Sequence, residues 1–185
     1  MDEFGRIDIL VHSVQYMGPG YLSFFKDTSV EQLEIQLRVN LLSAMHACKL
    51  ATPQMIERGG GLIIIFTSAA AWAEPVGVPG KGATGLGYPV TKAAINRFVA
   101  MLAMELREHN VAVIAVDPGF TLAEHVREGA VGSTYHGWDL AWAHGVEVPA
   151  KTVRYLSTCR DPMWYSGKVV VAEHFVREHN LLDRA

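Results

Sequence analysis

Cysteine is nearly absent: the 185 residues hold two, Cys48 and Cys159, far apart and in no metal-ligand spacing. That excludes a disulfide framework or a zinc knuckle as the source of stability and fits a reducing compartment, the cytoplasm. Clusters of Lys and Arg are missing too. The 16 basic and 19 acidic side chains are scattered and sum to a formal charge of -3, so there is no electrostatic footprint for nucleic acid or an anionic membrane. No apolar run approaches the ~20 residues that span a bilayer. The opening "MDEFGRIDIL" places three acidic side chains where a secretory leader carries basic ones. The eight histidines are dispersed; His136 and His144 flank "WDLAW" without a further ligand at helical spacing, so no metal site is expected. Repeats, low-complexity tracts and linkers are absent, and the length suits one domain over residues 1–185.

What the chain does contain is an alternation. The short β-branched runs "IDILV" (7–11), "LIIIF" (62–66), "VAVIAV" (111–116) and "KVVVA" (168–172) read as strands apolar on both faces. Helical patterns separate them. Leu33, Leu37, Leu41, Met45 and Cys48 mark the first, which glycines 59–61 terminate. Ala94, Phe98, Met101, Leu102 and Leu106 mark the second, and a shorter helix over 150–157 precedes the last strand. The order βαβαβαβ predicts an α/β fold, a parallel sheet with helices on both faces, with right-handed crossovers. Two long loops, 68–87 and 119–149, leave the carboxyl ends of strands, where open α/β sheets bind ligands.

The motif "YPVTK" starts the second helix. Tyr88 and Lys92 stand four residues apart, hence on one face one turn apart, with Pro89 at a first helical position. A free phenol, with a pKa of about 10, is a poor acid or base at neutral pH. A nearby ammonium favours phenolate and makes the pair able to exchange a proton with an alcohol or carbonyl. Thr67 and Ser68 end the preceding strand, where a hydroxyl can enter the crevice. Asn40 is an amide on an otherwise apolar helix face and needs a hydrogen-bonding reason to be there. Pro118 and Gly119 let the backbone pass close to a ligand before Thr121 offers a hydroxyl.

In this order, "FGRIDILV", "VNL", "TS", "YPVTK" and "DPGFT" resemble the short-chain dehydrogenase/reductase family along nearly the whole chain. The resemblance implies a Rossmann-like fold and hydride transfer between NAD or NADP and an alcohol or ketone. Tyr88 would be the general acid/base, and Lys92 would lower its pKa and bond the nicotinamide ribose. Ser68 would position the substrate oxygen. Asn40 would hold a relay water, or else bond a neighbouring backbone carbonyl. Pro118, Gly119 and Thr121, with Tyr88 and Lys92, would line the nicotinamide pocket. The resemblance further implies a homodimer or homotetramer. Trp72, Phe120, Trp138, Trp142 and Trp164 in the loops favour a hydrophobic small-molecule substrate.

The sequence also departs from that pattern. It has no Gly-x-x-x-Gly-x-Gly turn to hold a pyrophosphate, and "IDILV" resembles the family's fourth strand, so the expectation is a sheet lacking the first three strands. Weaker cofactor binding by roughly a thousandfold or more is the expected result, with β-strand 7–11 left as an apolar edge. The family's Asn-Asn-Ala-Gly is "HSVQ", His12 to Gln15, and the Ser68-to-Tyr88 spacing is long. Two other readings follow. One is a cofactor-independent lyase resembling halohydrin dehalogenases, against which Lys92 stands in place of arginine. The other is a non-catalytic fragment or assembly module.

Overall fold

The computed structural model describes residues 5–182. In chain order its strands are β1 (Ile9–His12), β2 (Gly61–Phe66), β3 (Val78–Pro79), β4 (Gly82–Ala83), β5 (Val111–Asp117), β6 (Thr134–Tyr135), β7 (Trp138–Asp139) and β8 (Val169–Val171). The helices are α1 (Val30–Leu37), α2 (Ser43–Glu57), α3 (Gly87–Leu106), α4 (Glu124–Glu128), α5 (Glu147–Thr158) and α6 (Ala172–Glu178). Strands β1, β2, β5 and β8 form one parallel sheet in that order, and the other four make two small ribbons in the loops.

The expected buried strands carry the core. Alternate side chains of β2 and β5 point to opposite faces. Ile63, Ile65, Val113 and Ala115 meet Ala44, Cys48, Met55, Ile95 and Val99 of α2 and α3. Leu62, Ile64, Ala112, Ile114 and Val116 meet Val148, Leu156, Phe175 and Val176 of α5 and α6. Each step along the sheet runs in one direction, yet α2 and α3 lie on one face and α5 on the other. The connection from β5 to β8 therefore has the opposite hand from the two before it, a departure from the uniform right-handed rule that the long 118–168 excursion makes possible.

The helix faces differ in part from the expected ones: Cys48 and Leu106 are buried and Leu41, Phe98 and Leu102 pack against the core as expected. Along α1 and α2 the buried residues are Gln36, Asn40, Ala44, Cys48, Ala51 and Met55, whereas Leu37 is exposed; along α3 they include Ile95, Val99 and Ala103, whereas Met101 is exposed. Small residues, Ala44, Ala51 and Ala103, permit close packing on the sheet beside the larger Met55, Ile95 and Leu106. Ser29 caps α1 by a capping box: its hydroxyl accepts the Gln32 N–H at 3.3 Å and the Gln32 side chain accepts the Ser29 N–H at 3.1 Å. After α2, Gly59 takes φ +77° and the Gly60 N–H donates to Met55 O at 2.9 Å, which is how the glycines stop the helix.

Strand β1 lies at the sheet edge, as expected for "IDILV". Ile9 is 40% and Val11 43% exposed. These two share the face of Leu62 and Ile64, their register partners, beyond the reach of the helices covering that face. Ile64→Ala is expected to cost about 2–5 kcal/mol and Val11→Ala less than half as much; urea unfolding of both variants checks this, and equal costs would show the β1 edge to be covered.

Candidate active site at the strand ends

Helix α3 starts without a side-chain cap, its first turn held by the Tyr88 N–H donating to Gly85 O at 3.3 Å. Tyr88 and Lys92 fall on the buried face, 8% and 2% exposed. The Lys92 ammonium donates to the carbonyl of Phe66, the last residue of β2, at 3.0 Å and lies 5.6 Å from the Tyr88 ring centroid. Thr67 clamps the other side, its hydroxyl donating to Lys92 O at 3.4 Å. Ser68 accepts the Ala70 N–H at 3.2 Å, opening a turn over Ala69–Ala71, and its hydroxyl lies beside the Tyr88 phenol. The long 68–87 loop thus turns back at once and brings Ser68, Tyr88 and Lys92 together.

Burial dominates the titration of the pair. It pushes the Tyr88 phenol up to about 12, against the pull of the Ser68 hydroxyl. It also lowers Lys92 to about 8, against the carboxylate of Asp117. Burial thus keeps the proton on the phenol at neutral pH, where it is a donor.

Asn40 lies within a single π turn, Arg38–Leu42, between α1 and α2, a local geometry frequent at functional sites. Its Oδ1 accepts the Tyr16 N–H at 2.7 Å, and its Nδ2 donates to Thr91 Oγ1 at 3.2 Å, which donates in turn to Tyr88 O at 2.8 Å. The amide thus bonds a backbone N–H and a hydroxyl, and ties the loop after β1 to the first turn of α3.

At the end of β5, Gly119 takes φ +71°, and a Cβ there would stand 2.6 Å from His144 Nε2. Glycine is therefore required both by conformation and by space. Asp117 Oδ1 accepts the Gly119 N–H at 3.0 Å, and the Thr121 hydroxyl donates to Pro118 O at 3.2 Å, so Thr121 folds onto its own turn. His144 Nδ1 stands 3.1 Å from Gly145 O, and its Nε2 is buried without a partner. A tight glycine turn beside an unpaired buried ring nitrogen fits a planar polar group such as a carboxamide.

Sequence reasoning missed three contributors. Tyr21 is buried and packs edge-on to Tyr88, centroids 5.4 Å apart, held by Gln15 Nε2 donating to its hydroxyl at 3.3 Å. Thr91 and Asp117 are the others; only Asp117 had a visible signal, a charged residue ending a strand otherwise wholly apolar. The loop aromatics are less central than expected: Trp72, Trp142 and Trp164 are exposed, while Trp138 packs on Phe120 at 6.3 Å. Among the described residues no group of three or more His, Cys, Asp or Glu is placed to hold a metal, and no helix is long and apolar enough to cross a membrane.

The model of the family described as short chain dehydrogenase matches residues 1–130. The chain belongs to the short-chain dehydrogenase family. It is 30% identical over 125 residues to a 1,6-dihydroxycyclohexa-2,4-diene-1-carboxylate dehydrogenase of Pseudomonas putida, covering 68% of this chain and 42% of the relative. It is 31% identical over 126 residues to a 3alpha-hydroxysteroid dehydrogenase of Mediterraneibacter gnavus, covering 68% and 46%. The chain thus spans less than half the length of these curated relatives. Among solved structures it superposes on a 7alpha-hydroxysteroid dehydrogenase complexed with NADH and 7-oxo glycochenodeoxycholic acid, with a TM-score of 0.73, 23% identity and coverage of 92% of this chain and 64% of that one. The acetoin dehydrogenase of Enterobacter cloacae gives a TM-score of 0.73 at 24% identity, with the same coverage. At these identities the likeness concerns the fold alone.

The buried ammonium of this short-chain dehydrogenase carries a pH signature. Below about 8 the folded protein must keep a charge in its interior; between there and about 10.5 the native state has shed a proton that the unfolded chain still binds. Stability supplied through Lys92 therefore rises with pH across that window. Relative to Lys92→Met, the wild type is expected to gain stability between pH 8 and pH 10, read by urea unfolding at each pH. A difference that does not change with pH would show that the ammonium is not desolvated.

Proposed function

We propose that this short-chain dehydrogenase acts as an oxidoreductase that exchanges hydride between NAD or NADP and an alcohol or ketone, with Tyr88, Lys92, Ser68 and Asn40 as its working residues. The observation that carries the reading is the convergence of a buried phenol, a buried ammonium and a serine hydroxyl at the carboxyl ends of β2 and β5. The nicotinamide, when bound, supplies or accepts the hydride. Tyr88 gives its proton to the substrate oxygen, or takes it in the reverse direction, and Ser68 orients that oxygen. Lys92 stands ready for the ribose side, and Pro118, Gly119 and Thr121 form the turn that receives the ring. Asn40 contributes through position, bracing the first turn of α3 from Tyr16 to Thr91.

Two features support a cyclic, largely apolar alcohol or ketone as substrate. Tyr21, Phe120 and Trp138 gather aromatic surface at the strand ends, and relatives named for a dihydroxycyclohexadiene carboxylate and a hydroxysteroid share the sequence pattern. Self-association as a homodimer or homotetramer belongs to the same reading, supported by the exposed Leu50, Val90, Met101 and Met104 on α2 and α3.

Fluorescence titration with NADH and NADPH tests the cofactor half. Saturable binding is expected, weakened in Lys92→Ala; no binding of either at millimolar concentration would sink the dehydrogenase reading and leave a lyase or an assembly module. For the chemistry, Tyr88→Phe is expected to keep cofactor binding while turnover of a cyclic secondary alcohol falls by roughly 10²–10⁴-fold.

A further inference from the structure

We propose that the glycine-rich stretch 80–87, "GKGATGLG", is a two-sided clasp: through Gly82 and Gly85 it ties the loops after β1 and β5 together beside Tyr88, and so sets how large a ring can reach the phenol. The proposal rests on the reading of Tyr88 as the residue that meets the substrate oxygen.

One side of the clasp is Gly85, which is buried and whose N–H donates to Tyr21 O at 2.7 Å. A Cβ at Gly85 would stand 2.6 Å from Gly20 O, 2.8 Å from Ser23 O and 3.2 Å from Tyr21 O. Backbone oxygens do not swing aside as the end of a flexible side chain does, so no side chain fits here while the loop after β1 keeps its place. That loop is folded on itself, the Tyr21 N–H donating to Gly18 O at 3.0 Å. It carries the Tyr21 ring edge-on to Tyr88, 5.4 Å away at 82°. The Gly85 carbonyl in turn accepts the Tyr88 N–H at 3.3 Å. A single residue therefore fixes both the aromatic wall and the start of α3. Beneath it the buried Gln36 amide fills the gap: a Cβ on Gly20 would lie 3.2 Å from its nitrogen, and one on Gly87 2.6 Å from its oxygen.

The other side is Gly82, whose N–H donates to His136 O at 3.0 Å. His136 and Gly137 turn the β6–β7 ribbon at φ +49° and +87°. A Cβ on Gly137 would stand 2.6 Å from Gly82 N and 2.9 Å from both Lys81 C and Lys81 Cα, so the two backbones touch. The ribbon is rooted at the strand ends by the buried Tyr135 and by Trp138, which packs on Phe120 beside the Gly119 turn. Its tip is not buried: His136, Gly137 and Lys81 are all exposed. Exposed contacts made by backbone alone are the ones that open first. Gly85 is therefore the fixed side and Gly82 the side that yields. The space between Tyr21 and the Phe120–Trp138 pair widens when the Gly82 bond parts.

Amide hydrogen exchange in the wild type without cofactor, resolved residue by residue by NMR, is expected to show both Gly82 and Gly85 protected, with Gly85 slower by about a hundredfold. Gly137→Ala sets a methyl against Gly82 N and is expected to bring the Gly82 amide to the rate of an unprotected one while Gly85 stays slow. An unprotected Gly82 in the wild type overturns the proposal without any variant, and so does an unchanged Gly82 rate in Gly137→Ala. The size filter is read from reduction of cyclohexanone and of a fused bicyclic ketone. In Gly137→Ala the ratio of their kcat/KM values should move about tenfold toward the bicyclic one, through KM. A merely structural loop would lower both equally, and that result overturns the proposal. NADH and NADPH titration of the wild type decides the dehydrogenase reading separately, because the exchange rates decide the clasp whether or not the protein turns over.

Discussion

Two adjacent strands buried on both faces, β2 and β5, impose the constraint from which the rest of the molecule follows. Their backbone can be hidden from water only if every N–H and C=O is paired along the ladder and both faces are roofed by helices. The pairing from Gly61–Val111 to Phe66–Val116 does the first. The helices α2 and α3 on one side and α5 and α6 on the other do the second. At the carboxyl ends the ladder runs out, and the last carbonyl of β2 needs a donor. Lys92 supplies it. The bond that satisfies the sheet end is thus the bond that draws a charged side chain into the interior beside Tyr88, so fold and candidate chemistry share one interaction.

How much of this was legible in the sequence depends on whether a feature is local. The strands were visible because a residue apolar on both faces leaves a continuous hydrophobic run, and the Tyr88–Lys92 pair because a spacing of four is one helical turn. Apart from Cys48 and Leu106, the helix faces were read one position off. Weighing hydrophobicity favours Leu33, Leu37 and Leu41, but the side against the sheet is the one where helix and sheet approach closely, and there Ala44, Cys48 and Ala51 suit better than leucine. Asn40 was singled out correctly as an amide that needed partners, but Tyr16 and Thr91 lie 24 and 51 residues away in sequence, a pairing that no local pattern encodes. Tyr21 over Tyr88 was hidden for the same reason.

The site is held more firmly than it is stabilised. Gln36, buried on the face that carries Asn40, has neither amide atom paired, and a Cβ on Gly87 would fall 2.6 Å from its oxygen. An unpaired buried polar group costs about 1–3 kcal/mol, and Lys92 adds the desolvation of an ammonium. Such costs persist where the surroundings fix a geometry and the core elsewhere supplies the stability. Here the surroundings are the Tyr16–Asn40–Thr91–Tyr88 chain of bonds and the fully buried isoleucines of β2.

The inversion of acidities at the pair bears on what such a site can do. In water lysine and tyrosine titrate within a unit of each other, near 10. Here Lys92 stands at about 8 and Tyr88 at about 12, both moved by burial, in the directions that favour the neutral forms. At neutral pH the phenol is protonated, and most of the ammonium survives because Asp117 offsets part of the desolvation. A protonated phenol is a proton donor, which is what the proposed reduction of a ketone would ask of Tyr88. Running the proposed step backwards would require a phenolate, and the nearby cation is Lys92, 5.6 Å from the ring centroid. The edge-on packing of Tyr21 on Tyr88 and the anchoring of Lys92 to Phe66 hold both groups in the dry surroundings that set these acidities.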